Sequence, residues 1–167
     1  MKKLLFILLF IPLVSLGQIN FKDIMQVNSQ EAFEKLMFDK QFSSIDRIDD
    51  GYGTQNYALN PNTEDGETKS THFASWTPSQ NRFYFTFIRT GTSTNLYTGA
   101  VTYAGVMANN YDTILKKVKR KCKFVQMYKV SNDNYACYTC KKAEFEGYLG
   151  FAVIGGQGAI TNLLYLE

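Results

Sequence analysis

Chemistry in this 167-residue chain would have to come from three cysteines and a single histidine: Cys122, Cys137, Cys140 and His72. Residues 134–140, NYACYTC, set Cys137 and Cys140 three apart, the spacing of a thiol–disulfide pair. A working redox pair sits at a helix N-terminus, where the thiolate is stabilised. This run alternates like a strand, so its two cysteines point to opposite faces with Cα atoms roughly 10 Å apart, beyond the ~7 Å a disulfide allows. Three cysteines without a neighbouring histidine make an incomplete metal set, and no metal is expected. A cysteine nucleophile needs a base beside it, and Cys137 with His72 is the only such pair available. Neither is flanked by a catalytic signature, and His72 is expected to be a strand-borne surface residue. IGGQGAI, residues 154–160, lacks both the following helix and the Gly-Lys-Ser/Thr ending of a phosphate loop. It is predicted to be a hairpin turn using glycine's positive φ, and no cofactor or catalytic residue is assigned.

Binding chemistry is better represented. KKVKRKCK puts Lys116, Lys117, Lys119, Arg120, Lys121 and Lys123 on a helix whose other side is apolar. That pattern fits a solvated face with favourable charge near the helix C-terminus, or an anion contact. Asp46, Asp49, Asp50, Glu64, Asp65 and Glu67 fall in turn-like runs without calcium-loop spacing. Strand-like runs carry Trp76, Tyr84, Tyr57 and Tyr135, and these rings are the candidate binding residues if one sheet face stays open. Burial of the rings between two sheets is the alternative.

These residues need elements to hold them. Residues 1–17 read as a secretory signal peptide: Lys2 and Lys3, the apolar run LLFILLFIPLV, then Ser15 and Gly17 around the cut. The mature chain is expected to be periplasmic or extracellular, without a transmembrane segment. Removing that segment takes Lys2 and Lys3 and leaves 16 basic against 15 acidic residues, so no nucleic-acid affinity is expected. Aromatic richness suits a strand-built core.

A duplication organises the rest. At a constant offset of 82, Ala32, Phe33, Leu36, Phe42, Ile45 and Ile48 fall on Ile114, Leu115, Val118, Phe124, Met127 and Val130. Each copy begins with an amphipathic helix, capped by Asn28 or Ser29 in the first and Asn110 in the second. Strands are predicted at 42–48, 52–59, 70–76 and 82–90, and at 124–130, 134–140, 148–154 and 159–165. The fold class is α+β: a tandem repeat of one helix plus a four-stranded antiparallel sheet, preceded by the signal peptide. The boundaries are 18–91 for the first repeat, 92–109 for a linker that could add a strand pair, and 110–167 for the second. Joining of the two sheets is left open.

Cys122 continues the apolar stripe Ile114, Leu115, Val118 and therefore faces the sheet. If Val130 pairs with Tyr135 across a hairpin, Cys140 falls opposite Val125 and Cys137 opposite Tyr128. Cys140 is then nearer Cys122, and a Cys122–Cys140 disulfide is expected, with Cys122–Cys137 or three free thiols as the other outcomes. The first repeat has Lys40 at the matching position.

The signal peptide and the run from Tyr111 to Ile160 resemble small exported proteins of unknown function from flavobacteria, over about the last third of the chain. The tandem layout is similar, in topology only, to beta-lactamase inhibitory proteins, which open each repeat with a helical pair where one helix per half is read here. The expectation is an exported, non-enzymatic module that binds an unknown protein or envelope macromolecule through an aromatic sheet face. A cell-envelope enzyme using Cys137 and His72, or a structural envelope component, are the competing classes.

Overall fold

The structure, a computed structural model, describes residues 18–45, 51–64, 67–70, 72–87, 93–95, 101–102 and 110–166. The predicted signal peptide and most of the 92–109 linker lie outside the described residues. The fold is mixed α+β, and its main sheet has eight antiparallel strands.

A short helix, α1 (Phe21–Met25), precedes the first predicted one. Asn20 caps it, accepting from the backbone N–H groups of Lys22 and Asp23, while Asp23 reaches back to the N–H of Asn20 at 2.8 Å. This reciprocal box satisfies donors that the first turn leaves orphaned. Helix α2 (Gln30–Asp39) starts at Ser29, whose hydroxyl accepts from the N–H of Ala32. Helix α3 (Asn110–Lys121) already contains Asn110, so the predicted cap is its first helical residue.

Strands follow α2 as β1 (Phe42–Ser44), β2 (Gln55–Leu59), β3 (Asn62–Glu64), β4 (Glu67–Ser70), β5 (His72–Thr77) and β6 (Arg82–Phe87). Short strands β7 (Ser93–Asn95) and β8 (Val101–Thr102) fall in the predicted linker. Helix α3 leads into β9 (Lys123–Val130), β10 (Asp133–Thr139), β11 (Tyr148–Ile154) and β12 (Gln157–Leu163). The main sheet runs β1-β2-β5-β6-β12-β11-β10-β9, and a second sheet runs β3-β4-β7-β8. Two expectations are corrected: the turn-like run that carries Glu64 and Glu67 holds β3 and the first residue of β4, and the single strand expected at 70–76 is divided between β4 and β5.

One face of the main sheet is covered by helices. Ile24, Phe33, Met37, Tyr111, Ile114 and Val118 pack on Trp76, Phe83, Phe85, Leu149, Phe151 and Ile160 in one cluster. Fully burying side chains of this size contributes about 1.5–3 kcal/mol each. Helix α3 approaches closely because β12 has no side chain at Gly158, where a Cβ would overlap the ring of Tyr111. The β6–β12 seam is stitched by side chains as well as backbone. Asn162 Oδ1 accepts from the N–H of Phe83 at 2.9 Å, and the Thr161 hydroxyl donates to the Phe83 carbonyl at 2.7 Å.

The β9–β10 register differs from the expected one. Val130 faces Asp133, not Tyr135, because Ser131 takes a positive φ of 54° and the hairpin closes over two residues. Cys137 therefore pairs with Gln126, and a bulge leaves Val125 without an opposite residue before Phe124 meets Tyr138. Cys140 lies one residue beyond β10, Cys122 one residue beyond α3. Their Cα atoms are 4.5 Å apart and they form a disulfide.

Candidate functional site

The four candidate rings do not share an open face, which corrects the expected aromatic surface. Alternation on β2 and β5 turns Tyr57 and Trp76 toward α2, where Phe33 lies 5.7 and 5.6 Å from them, centroid to centroid. Trp76 is only 2% exposed. Tyr84 and Tyr135 point the other way. They sit against Cys137, Ala152, Ala159 and Leu163, a smaller cluster on the opposite face.

Strands β6 and β10 are three apart in the sheet, roughly 14 Å at ordinary strand spacing. The two phenols close that span and hydrogen bond to each other. Beneath them the floor is small. Thr161 pairs with Tyr84 and with Gly150, and a Cβ on Gly150 would lie 3.2 Å from the Tyr135 ring. Replacing hydrogen there would press on both the phenol and Leu163.

Each tyrosine has a charged residue two positions earlier on the same face, Arg82 before Tyr84 and Asp133 before Tyr135. With Val130, Ser131, Thr161 and Leu163 they line a cleft of about 200 Å³. Burial pushes the phenol of Tyr84 well above the ordinary tyrosine range. The neighbouring Tyr135 and Asp133 add to that rise, and the Arg82 charge opposes it. Burial also raises Tyr135, against its hydrogen bond with Tyr84. Both rings are therefore neutral hydrogen-bonding groups at physiological pH. Nε of Arg82 is buried without a hydrogen-bond partner, so the guanidinium keeps donor capacity beside the phenols.

The Cys137–His72 pair does not assemble. Cys137 lies on the face of β10 turned away from the helices, fully buried, with its thiol pushed up by burial and its Sγ 3.5 Å from the Tyr135 carbonyl. His72 lies on the helix-covered face of β5, four strands away, edge-on to Phe87 with centroids 5.6 Å apart. The surface position expected for His72 is corrected: it is 7% exposed. Burial lowers its pKa to about 4, so the imidazole is neutral.

No helix among the described residues is long and apolar enough to cross a membrane. The disulfide is compatible with an oxidising environment. Arg82 and Asp133 were missing from the sequence-derived set; their same-face position two residues before each tyrosine was the available signal. No family model matches this chain, and neither a curated protein nor a solved structure does.

Proposed function

We propose that the chain is an exported, non-enzymatic binding module built from a duplicated helix-plus-four-strand unit, contacting its partner at the Tyr84–Tyr135 cleft. The duplication is supported by positions 82 apart. Lys40 and Cys122 each follow the last residue of a helix, and Phe42 is the first residue, Phe124 the second, of the next strand. The sheet order then has the last strand of each unit, β6 and β12, side by side. The likeness in layout to beta-lactamase inhibitory proteins assigns no function by itself.

The observation carrying the binding reading is the convergence of Arg82, Tyr84, Asp133 and Tyr135 from two units on one cleft. Tyrosine and arginine at a partly desolvated concavity are the chemistry of interface anchors. Immobilised mature protein exposed to an envelope extract should capture a partner that Tyr84→Ala and Arg82→Ala both release. Tyr165→Ala, at a ring 79% exposed away from this cleft, should retain it. Equal retention by all three variants removes the cleft from the contact.

A further inference from the structure

The two edges of the main sheet are built differently. Strand β1 has three residues and its Phe42 is buried. Strand β9 has eight residues, and Phe124, Val125 and Met127 are 49%, 40% and 57% exposed. Short edges protect a sheet from added strands, whereas a long apolar edge invites them. Phe124 and Met127 lie on the helix-covered side of the sheet, as their partners Tyr138 and Ala136 show, but beyond the reach of α3.

The surroundings of that edge are cationic. Lys119, Arg120 and Lys121 end α3, Lys123 and Lys129 lie on β9, and Lys141 and Lys142 follow Cys140; all seven are exposed. The Cys122–Cys140 disulfide holds the end of α3, Lys123 and the Lys141–Lys142 pair at one corner, and Lys129 lies at the far end of β9 beside the Ser131–Asn132 turn. The ion pairs among the described residues, Lys35–Asp39 and Lys40–Asp23, lie elsewhere. Of the two acids that follow Lys142, Glu144 has its carboxylate 3.4 Å from Asn28, and Glu146 is exposed. A second copy would bring the same seven cations to the joint, so like charge opposes self-pairing.

We propose that β9 is a docking edge for an extended, acidic segment of a partner protein, which adds as a ninth strand. Its backbone pairs with the side of β9 that no described strand occupies, alternate apolar side chains cover Phe124 and Met127, and its carboxylates meet the cationic corner. This surface is separate from the Tyr84–Tyr135 cleft and does not rest on it.

The test uses the disulfide-intact protein and a fluorescent decapeptide of alternating Glu and Val, read by anisotropy. Binding is expected, weakening roughly tenfold or more between about 0.05 and about 0.5 M salt. Met127→Glu and the triple variant K119E/K123E/K142E should each lose at least roughly tenfold in affinity with unchanged circular dichroism and melting. Amide exchange should slow in β9 on binding and stay constant in β1. The same peptide N-methylated at alternate residues, which keeps its charge but cannot pair as a strand, should bind at least roughly tenfold more weakly. Equal binding of the methylated peptide, indifference to the variants, or no binding overturns the proposal. Preference for phosphatidylglycerol vesicles over the peptide would assign the corner to a membrane surface and overturn it too, as would a dimer abolished by Met127→Glu.

Discussion

Helix α2 lays Phe33 among Trp76, Tyr57 and Phe85 with ring centroids 5.6, 5.7 and 5.7 Å away, while α3 meets the sheet with Tyr111, Ile114 and Val118. Five of the twelve residues of α3 are lysine or arginine, and they leave Tyr111, Ile114 and Val118 buried on its other side. Position 40, just after α2, holds a lysine paired with Asp23 of α1 at 2.7 Å; position 122, just after α3, holds a cysteine bonded to Cys140. An ion pair thus follows α2 and a disulfide follows α3. Both helices lay a ring on the sheet, Phe33 from α2 and Tyr111 from α3, whose ring centroid is 5.8 Å from that of Phe151, so packing is common to both and the tie that follows each helix is what differs.

The largest effect that would break this contrast is expected at the disulfide. Its closed loop, with a sequence separation of 18, predicts a loss of about 3 kcal/mol in Cys122→Ser/Cys140→Ser, or roughly 6–12 °C in melting temperature. Amide exchange should accelerate in α3 and β9 and remain slow in α2. A melting temperature insensitive to both the substitution and a reductant would mean that α3 is held by packing after all.

Acid should act away from the disulfide, on β5. His72 on β5 is the only histidine, and its folded pKa of about 4 lies below the ordinary value of 6.5. The unfolded chain therefore binds the proton that the folded chain excludes. Stability from this group is present above pH 6.5 and is lost as pH falls toward 4. Between pH 7 and pH 5 the loss is about 2 kcal/mol. Urea titrations at the two pH values measure it, and His72→Gln should flatten that part of the curve. Reductant would then act at the Cys122–Cys140 corner and acid at His72 on β5, and a slope unchanged in His72→Gln would refute the second half of that statement.

The helices, most strands and the antiparallel class were legible because 3.6-residue and two-residue periodicities are carried by many positions at once. Helix α1 was not, because five residues are too few for a period; only the Asn20–Asp23 box marked it. The β9–β10 register came out two residues away, since the number of residues in the Ser131–Asn132 turn sets it and the bulge at Val125 has no compositional mark. The covered face was hidden for another reason. In HFASWT both alternating sets carry an aromatic, Trp76 on one and Phe73 on the other, so composition does not say which set faces α2. Tyr84 and Tyr135 were identified one by one, but their meeting over Thr161 and Gly150 depends on the β6–β12 seam joining distant segments. Arg82 and Asp133 gain meaning only once that seam is known.

The smallest effect concerns the counterpart of the disulfide, and it sharpens the contrast most narrowly. The side chains of Lys40 and Asp23 are 22% and 16% exposed, enough shelter for the pair to be more than a surface contact. Asp23 also accepts from the N–H of Asn20 at 2.8 Å, so its carboxylate keeps a partner when the lysine is removed. Lys40→Ala should therefore cost about 1 kcal/mol or less, fading as salt is added. Asp23→Ala removes both the ion pair and the reciprocal cap of α1, and should cost roughly 1 kcal/mol more. A double-mutant cycle isolates the pair, and its coupling should fall with ionic strength while the disulfide's contribution stays constant. If the coupling matched that of Cys122–Cys140 and ignored salt, the two anchors would be equivalent, and the contrast between a screened ion pair and a covalent bond would fall.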